Sequence, residues 1–247
     1  MIKVASYNIR KSLGTDRRRS PDRILKILEE LDADVIALQE VDRRFGERVA
    51  TIDPELIVDH TRYMPVRFGI RQESLGWHGN VLLVKKTAKV NGHQRIDLPA
   101  FEPRGAVMAD VELPDGTIRV VGMHLGLTGG YRVRQAQAVV AHLEKLEGQM
   151  PTVIMGDLNQ WSENGGCLAR FAIHHNVIAP GPSFHSRAPM LKLDRIITSR
   201  DFRLEATGVH HSALARNGSD HLPVWAMLEL TSAAALLNAA ASQALTS

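Results

Sequence analysis

At 247 residues and a net charge of +3, the chain is long enough to bury a sizeable core and too weakly basic for charge alone to argue for a nucleic-acid partner. Its 44% hydrophobic and 23% charged residues are ordinary for a globular protein, and no apolar run reaches the ~20 residues of a membrane span. A single cysteine, Cys167, excludes an internal disulfide and a multi-cysteine zinc site; the N-terminus reads directly as a strand rather than a leader, so the expected compartment is the cytoplasm.

The first segment, IKVASYN, predicts a strand ending at Asn8. Ser20 and Pro21 then suit a helix cap and first turn, and Ile24, Leu25, Ile27, Leu28 and Leu31 recur at helical spacing over 21–32. VIALQE (35–40) and GNVLLVKK (79–86) read as buried strands, and AVMADVEL (106–113) alternates as a half-buried one. Pro114, Asp115 and Gly116 turn it into TIRVVGMHL (117–125) as a hairpin. A helix is expected over 132–147 from the face Ala136, Val139, Val140, Leu143 and Leu146, with Gly148 at its exit. TVIMG (152–156) follows as a strand, and Gly165 to His175 can hold a short helix. KLDRIITS (192–199) and LPVWAMLEL (222–230) read as the last two strands. No linker divides residues 1–230, which are expected to form one domain; the uncharged, Ala-rich tail 231–247 fits a loose helix, an oligomer contact or disorder equally well. Hairpins mixed with strand–helix–strand units, and strands apolar at every position, point to α/β layers with mixed sheets covered on both faces.

Polar residues collect at the strand ends. Asn8 ends the first strand, Glu40 the second, His124 follows VVGM, and Asp157 and Asn159 follow VIM; Asp194 opens one late strand and Asp220 and His221 precede another. Taken singly, an Asp or Asn after a strand is a turn former. Together on one sheet rim, the carboxylates of Glu40, Asp157, Asp194 and Asp220 would repel one another without a cation among them. With amide oxygens from Asn8 and Asn159 they make a hard oxygen site that favours Mg²⁺ or Mn²⁺ over zinc.

Eight motifs run in order: YNIR (7–10), LQEV (38–41), GNVLL (79–83), EPRGAV (102–107), HLG (124–126), GDLN (156–159), LDRI (193–196) and SDHLPV (219–224). In this order they resemble the endonuclease/exonuclease/phosphatase superfamily, which includes DNase I, exonuclease III and sphingomyelinase; within it the chain is most similar to bacterial metal-dependent hydrolases. The resemblance covers nearly all of 1–230. It implies a four-layer α/β/β/α sandwich of two mixed β-sheets with outer helices, and Mg²⁺-dependent hydrolysis of a phosphoester, with Mn²⁺ as a substitute.

Residue by residue, it implies that Glu40, Asn8 and Asp220 hold the metal. His221 would be the general base or a donor to the phosphate, and Asp194 would orient it and support its imidazolium. Asp157 would position water or a second metal, and is the alternative base. Asn159 and His124 would donate to the non-bridging oxygens that gain charge during in-line displacement. Arg104 would add a cationic donor and Asn80 a supporting amide, although each also suits a structural role. The loop RKSLGTDRRRSPDR (10–23) should overhang the site, so that Arg17, Arg18 and Arg19 grip an anionic substrate unless they form a solvated charge run. Arg132 and Arg134 sit poorly at a helix N-terminus and are expected to face substrate or a carboxylate. Trp77 and Trp161 suit stacking, lipid contact or core. The histidine at 124 departs from the exonuclease III-like pattern and matches that of DNase I, sphingomyelinase and the inositol-polyphosphate phosphatases. Two alternatives to a general phosphodiesterase or phosphatase stand beside it: a DNA or RNA nuclease, which needs a basic groove and stacking aromatics, and a non-catalytic binding protein on the same fold.

Overall fold

The computed structural model describes residues 1–44, 46–68, 73–99 and 102–231. Most of the Ala-rich tail therefore lies outside the described residues. Within them the strands are β1 (Ile2–Asn8), β2 (Val35–Gln39), β3 (Tyr63–Pro65), β4 (Val81–Lys85), β5 (Lys89–Asp97), β6 (Gly105–Leu113), β7 (Gly116–His124), β8 (Thr152–Asp157), β9 (Asn176–Ile178), β10 (Asp194–Thr198), β11 (Phe202–Val209) and β12 (Val224–Leu230). The helices are α1 (Pro21–Leu31), α2 (Pro54–His60), α3 (Gly129–Glu144), α4 (Cys167–Phe171) and α5 (Ala213–Gly218).

Two six-stranded sheets result, in the orders β11-β12-β1-β2-β4-β3 and β5-β6-β7-β8-β10-β9. In each, only the central pair is parallel, β1 with β2 and β7 with β8; all other neighbours are antiparallel. The sheets pack face to face, with β1 against β8 and β2 against β7. Their inward side chains, among them Val4, Ala37, Leu82, Val107, Val120 and Met155, fill the space between them. A second cluster, with Ala136, Val139, Ile154, Leu168 and Phe171, lies between the second sheet and α3 and α4. This is the α/β sandwich of two mixed sheets with helices around them that the motifs imply.

Helix α1 forms where expected. Ser20 accepts from the Arg23 N–H, Pro21 opens the first turn, and Ile24, Leu25, Ile27, Leu28 and Leu31 are buried. Helix α3 differs from its expected 132–147. It starts after Thr128 and ends at Glu144, where the Lys145 N–H folds back to the His142 and Leu143 carbonyls, leaving Leu146 and Gly148 beyond it. KLDRIITS and LPVWAMLEL are not the last two strands, because β11 lies between them. The strands the sequence pattern misses are β3, β5, β9 and β11, the four sheet edges.

Parallel pairing of β7 with β8 sets His124 beside Asp157, and antiparallel pairing of β10 with β8 sets Asp194 beside Asp157. The register requires Gly156 opposite Met123, where a Cβ would meet the Met123 carbonyl oxygen at 1.8 Å. With φ at +156°, no larger residue fits without moving the strand end. Gly156→Ala should therefore destabilise the protein by about 3 kcal/mol or more, read from urea unfolding; an unchanged midpoint would show that the strand end relaxes freely.

Candidate active site

One carboxylate sits at the junction of the two sheets. Asp157, 2% exposed, ends β8 and takes the Asn159 backbone N–H on Oδ1 at 2.9 Å. Its Oδ2 accepts from Asn8 Nδ2 of the opposite sheet at 3.0 Å. His124 Nε2 lies 3.4 Å and His221 Nε2 3.5 Å from the same oxygen. Burial, with the Asp194 charge adding to it, pushes the Asp157 carboxyl up to about 6 despite these donors.

His221 is held on its other side. Its Nδ1 donates to Asp194 Oδ2 at 2.9 Å, where the Ser183 hydroxyl also donates. Asp194 is fully buried, and its Oδ1 has no hydrogen-bond partner among the described residues. Burial works to lower the His221 pKa, but the flanking Asp194 and Asp157 carboxylates outweigh it and raise it to about 10. The ring of Phe184 lies against this imidazole, centroids 5.0 Å apart.

His124 has the opposite character. A guanidinium can only donate, so Arg104 Nη1, 2.9 Å from His124 Nδ1, fixes that nitrogen as acceptor and leaves the proton on Nε2, towards Asp157. Burial, reinforced by Arg104, pushes His124 well below the ordinary histidine range. Arg104 also bonds Glu102, and its buried Nε has no partner among the described residues. Asn80, fully buried, donates to the Gly105, Trp77 and His78 carbonyls and ties the start of β4 to the start of β6.

Asn8 ends, Glu40 follows and Asp220 precedes a strand at the same rim. Glu40 pairs with the Lys11 ammonium, and Asp220 lies 3.3 Å from Arg10 Nε. Asn8 accepts the Arg10 N–H on Oδ1, and its carbonyl accepts the Ser219 hydroxyl. Burial works to raise the Glu40 pKa, but Lys11, Arg104 and Arg44 hold it below its ordinary value. Glu40 and His124 line one cleft, and His124 and His221 flank one oxygen, so all these residues share one face. Asp157, Asp194 and His221 offer ligand atoms within 4.8 Å of one another, a spacing that could hold a divalent metal.

Several of these side chains are aimed by left-handed backbone: Arg10, Lys11, Glu40, His78 and Asn159 have φ between +47° and +56°. Asn159 uses its side-chain amide to donate to the Leu125 carbonyl at 2.9 Å. Arg18 is exposed, and Arg19 of the same loop lines a groove with Lys11, Glu40, Arg43 and Arg44. Arg132 is not aimed at a carboxylate: it bonds Gln160 Oε1 and the Gly126 and Leu127 carbonyls, and Arg134 stacks on Tyr131. Trp77 is half-buried beneath Arg95, whereas Trp161 is 70% exposed. Ser183, Lys11 and Arg10 drew no role from the sequence pattern. The adjacency of YNIRK to Asn8 was the available signal for the two cations, and nothing marked Ser183.

A face-to-face pair of mixed sheets with acids, amides and histidines on one rim defines a phosphoester-hydrolase class of sandwich. The chain belongs to the endonuclease/exonuclease/phosphatase family, whose model matches residues 5–221. Similar solved structures include an endonuclease/exonuclease/phosphatase from Beutenbergia cavernae (21% identity, 93% of this chain and 71% of that one, TM-score 0.71). Others are a mannosyl-6-phosphatase from Bacteroides thetaiotaomicron (17%, 92% and 99%, 0.71) and D. rerio TDP2 complexed with a single-strand DNA product (14%, 92% and 98%, 0.70). No curated sequence is a significant match.

Because Arg104 adds to burial in holding His124 neutral, Arg104→Ala should raise the His124 pKa towards the ordinary value. The check is ¹⁵N–¹H NMR titration of the ring, where wild type keeps the Nε2–H tautomer; an identical titration in the variant would remove Arg104 from this role.

Proposed function

We propose that the chain is a divalent-metal-dependent hydrolase cleaving a phosphodiester or phosphomonoester by in-line attack of water. The carrying observation is Asp157 Oδ2, set among Asn8 Nδ2, His124 Nε2 and His221 Nε2. With its pKa pushed up to about 6, Asp157 is ionised near neutral pH yet basic enough to take a proton from water. His221, raised to about 10 between two carboxylates, keeps both ring protons and donates Nε2–H to a phosphate oxygen, while Asp194 stabilises the imidazolium. This arrangement favours Asp157 as the base and His221 as the donor over the reverse assignment. His124 offers a neutral N–H to a non-bridging oxygen and Asn159 its second amide N–H; Arg104 fixes the His124 tautomer, and Arg18 is an outer contact for an anionic substrate.

Glu40, with Asn8 and Asp220, is proposed to hold Mg²⁺, or Mn²⁺ in its place. The donors are oxygens, which hard dications take, and the carboxylates already draw in the cations Lys11 and Arg10. A dication bound there neutralises charge on the phosphate and leaving-group oxygens. That one family relative is a mannosyl-6-phosphatase and another is complexed with a DNA product supports a phosphoester without choosing its class. A nuclease would need stacking surfaces, for which Trp161 is the exposed aromatic beside Asn159.

Hydrolysis of bis(p-nitrophenyl) phosphate should require Mg²⁺ or Mn²⁺ and stop in EDTA; full activity in EDTA would end the metal assignment. Asp157→Asn and His221→Asn should each lower kcat about 100-fold or more. The pH profile should be bell-shaped: activity falls below about pH 6 as Asp157 gains a proton, and falls again as pH approaches the raised His221 value of about 10 and the donor is lost. An alkaline limb that survives in His221→Asn would reverse the roles, and cleavage of single-stranded DNA in preference to the chromogenic diester would place the chain with the nucleases.

A further inference from the structure

Beside Glu40 and His124 the rim opens into a solvent-exposed cleft. Its walls carry five cationic side chains, Lys11, Arg43, Arg44, Arg48 and Arg104, against two carboxylates, Glu40 and Asp42. Asp42 is committed elsewhere: its oxygens accept the Ser74 hydroxyl and the Leu75 and Gly76 N–H groups, holding the loop before β4. Lys11 is on Glu40, and Arg104 is on His124 and Glu102. Arg48 donates to Nδ1 of His78, whose pKa is lowered by burial and by Arg48 itself, so this ring favours its neutral form and does not balance the Arg48 charge. Arg43 and Arg44 have no side-chain hydrogen bond or ion pair among the described residues.

Three positive charges are therefore left in one concave wall. A dication at Glu40 would enlarge that excess. An orthophosphate ester brings at most two negative charges, and the reacting phosphate meets the N–H donors of His124 and His221 beside Asp157. Arg43 and Arg44 are exposed, so their guanidinium N–H groups are free to take a ligand, and forked guanidinium recognition is suited to phosphate.

We propose that the organic part of the substrate carries a second phosphate, seated on Arg43 and Arg44 with Arg48 behind them, while the scissile phosphate lies between Glu40 and His221. This rests on the hydrolase reading above and adds the substrate's chemical class: a bis-phosphorylated ester, recognised from the loop after β2. The second phosphate stays intact and acts by binding, so its effect falls on KM.

The test compares thymidine 5′-(p-nitrophenyl phosphate) with its 3′-phosphorylated counterpart, with Mg²⁺, on wild type and on Arg43→Ala/Arg44→Ala. Wild type should prefer the 3′-phosphorylated probe by about tenfold or more in kcat/KM, the scale of one charge-assisted hydrogen bond, mainly through KM, and the double variant should lose most of that ratio. A ratio near one in wild type, or the same ratio in the variant, overturns the proposal. Calorimetric titration of inorganic pyrophosphate in EDTA separates this from catalysis: affinity should fall about tenfold in the double variant, and equal affinities overturn the site. If neither nucleoside probe is hydrolysed, the hydrolase reading fails for such esters and the pyrophosphate titration alone decides the arginine site. Sedimentation with phosphatidylcholine vesicles carrying phosphatidylinositol 4-phosphate separates the sources. Pelleting that depends on Arg43 and Arg44 assigns the second phosphate to a lipid headgroup, and its absence to a soluble ester.

Discussion

The hydrogen bond from Asn8 to Asp157 joins the ends of two strands that belong to different sheets. An ionised carboxylate that is 2% exposed is costly unless its oxygens are met by donors. The chain meets this cost from four places: the end of β1, the end of β7, the segment before β12 and the turn after Asp157 itself. Asn8 and His124 are delivered by strand ends of different sheets, so the carboxylate is satisfied only when both sheets are folded and in register. The catalytic proposal and the packing of the sandwich thus depend on one constraint.

That constraint explains the backbone around it. Gly156 exists to let β8 reach Asp157 while passing the Met123 carbonyl at a distance no Cβ permits. Glu40, Lys11 and Asn159 take left-handed conformations where the chain leaves a strand, turning their side chains back over the rim instead of into solvent. Asn is among the residues that tolerate this region, and Asn159 adds a bond to the Leu125 carbonyl that holds the turn. Glu40 and Lys11 have no such aptitude, and their mutual ion pair holds them there.

Legibility in the sequence follows burial. The eight interior strands, from IKVASYN to VWAMLEL, were readable because each is paired along both edges and buries an apolar run on at least one face. The four edges were not: β5 and β11 are mostly exposed, with polar and charged residues, and β3 and β9 are three residues each. At the site, Asn8, Glu40, His124, Asp157, Asn159, Asp194 and His221 stood out because each follows or opens an apolar run, and the structure brings them to one face. What pattern could not supply was pairing. Ser183 on Asp194 and Lys11 on Glu40 depend on loops whose course is set by tertiary packing, and the histidines could be told apart only by their partners. His124 faces a guanidinium and loses its charge, whereas His221 faces two carboxylates and keeps it.

The two sheets divide the work along this line. Strands β7, β8 and β10 of the second sheet present His124, Asp157 and Asp194 from paired positions, an arrangement that backbone hydrogen bonding makes rigid and that suits moving a proton over a fixed path. The first sheet contributes Asn8 and Glu40 from its strand ends, and beyond Glu40 the chain enters the exposed Arg43–Arg44 segment rather than another strand. The proposed proton-transfer groups thus sit on paired strand ends, and the arginines of the proposed second-phosphate site are carried by a loop. On the proposed reading, a fold built this way can keep one reaction while changing its substrate, with the loop after β2 rather than the carboxylates making the choice.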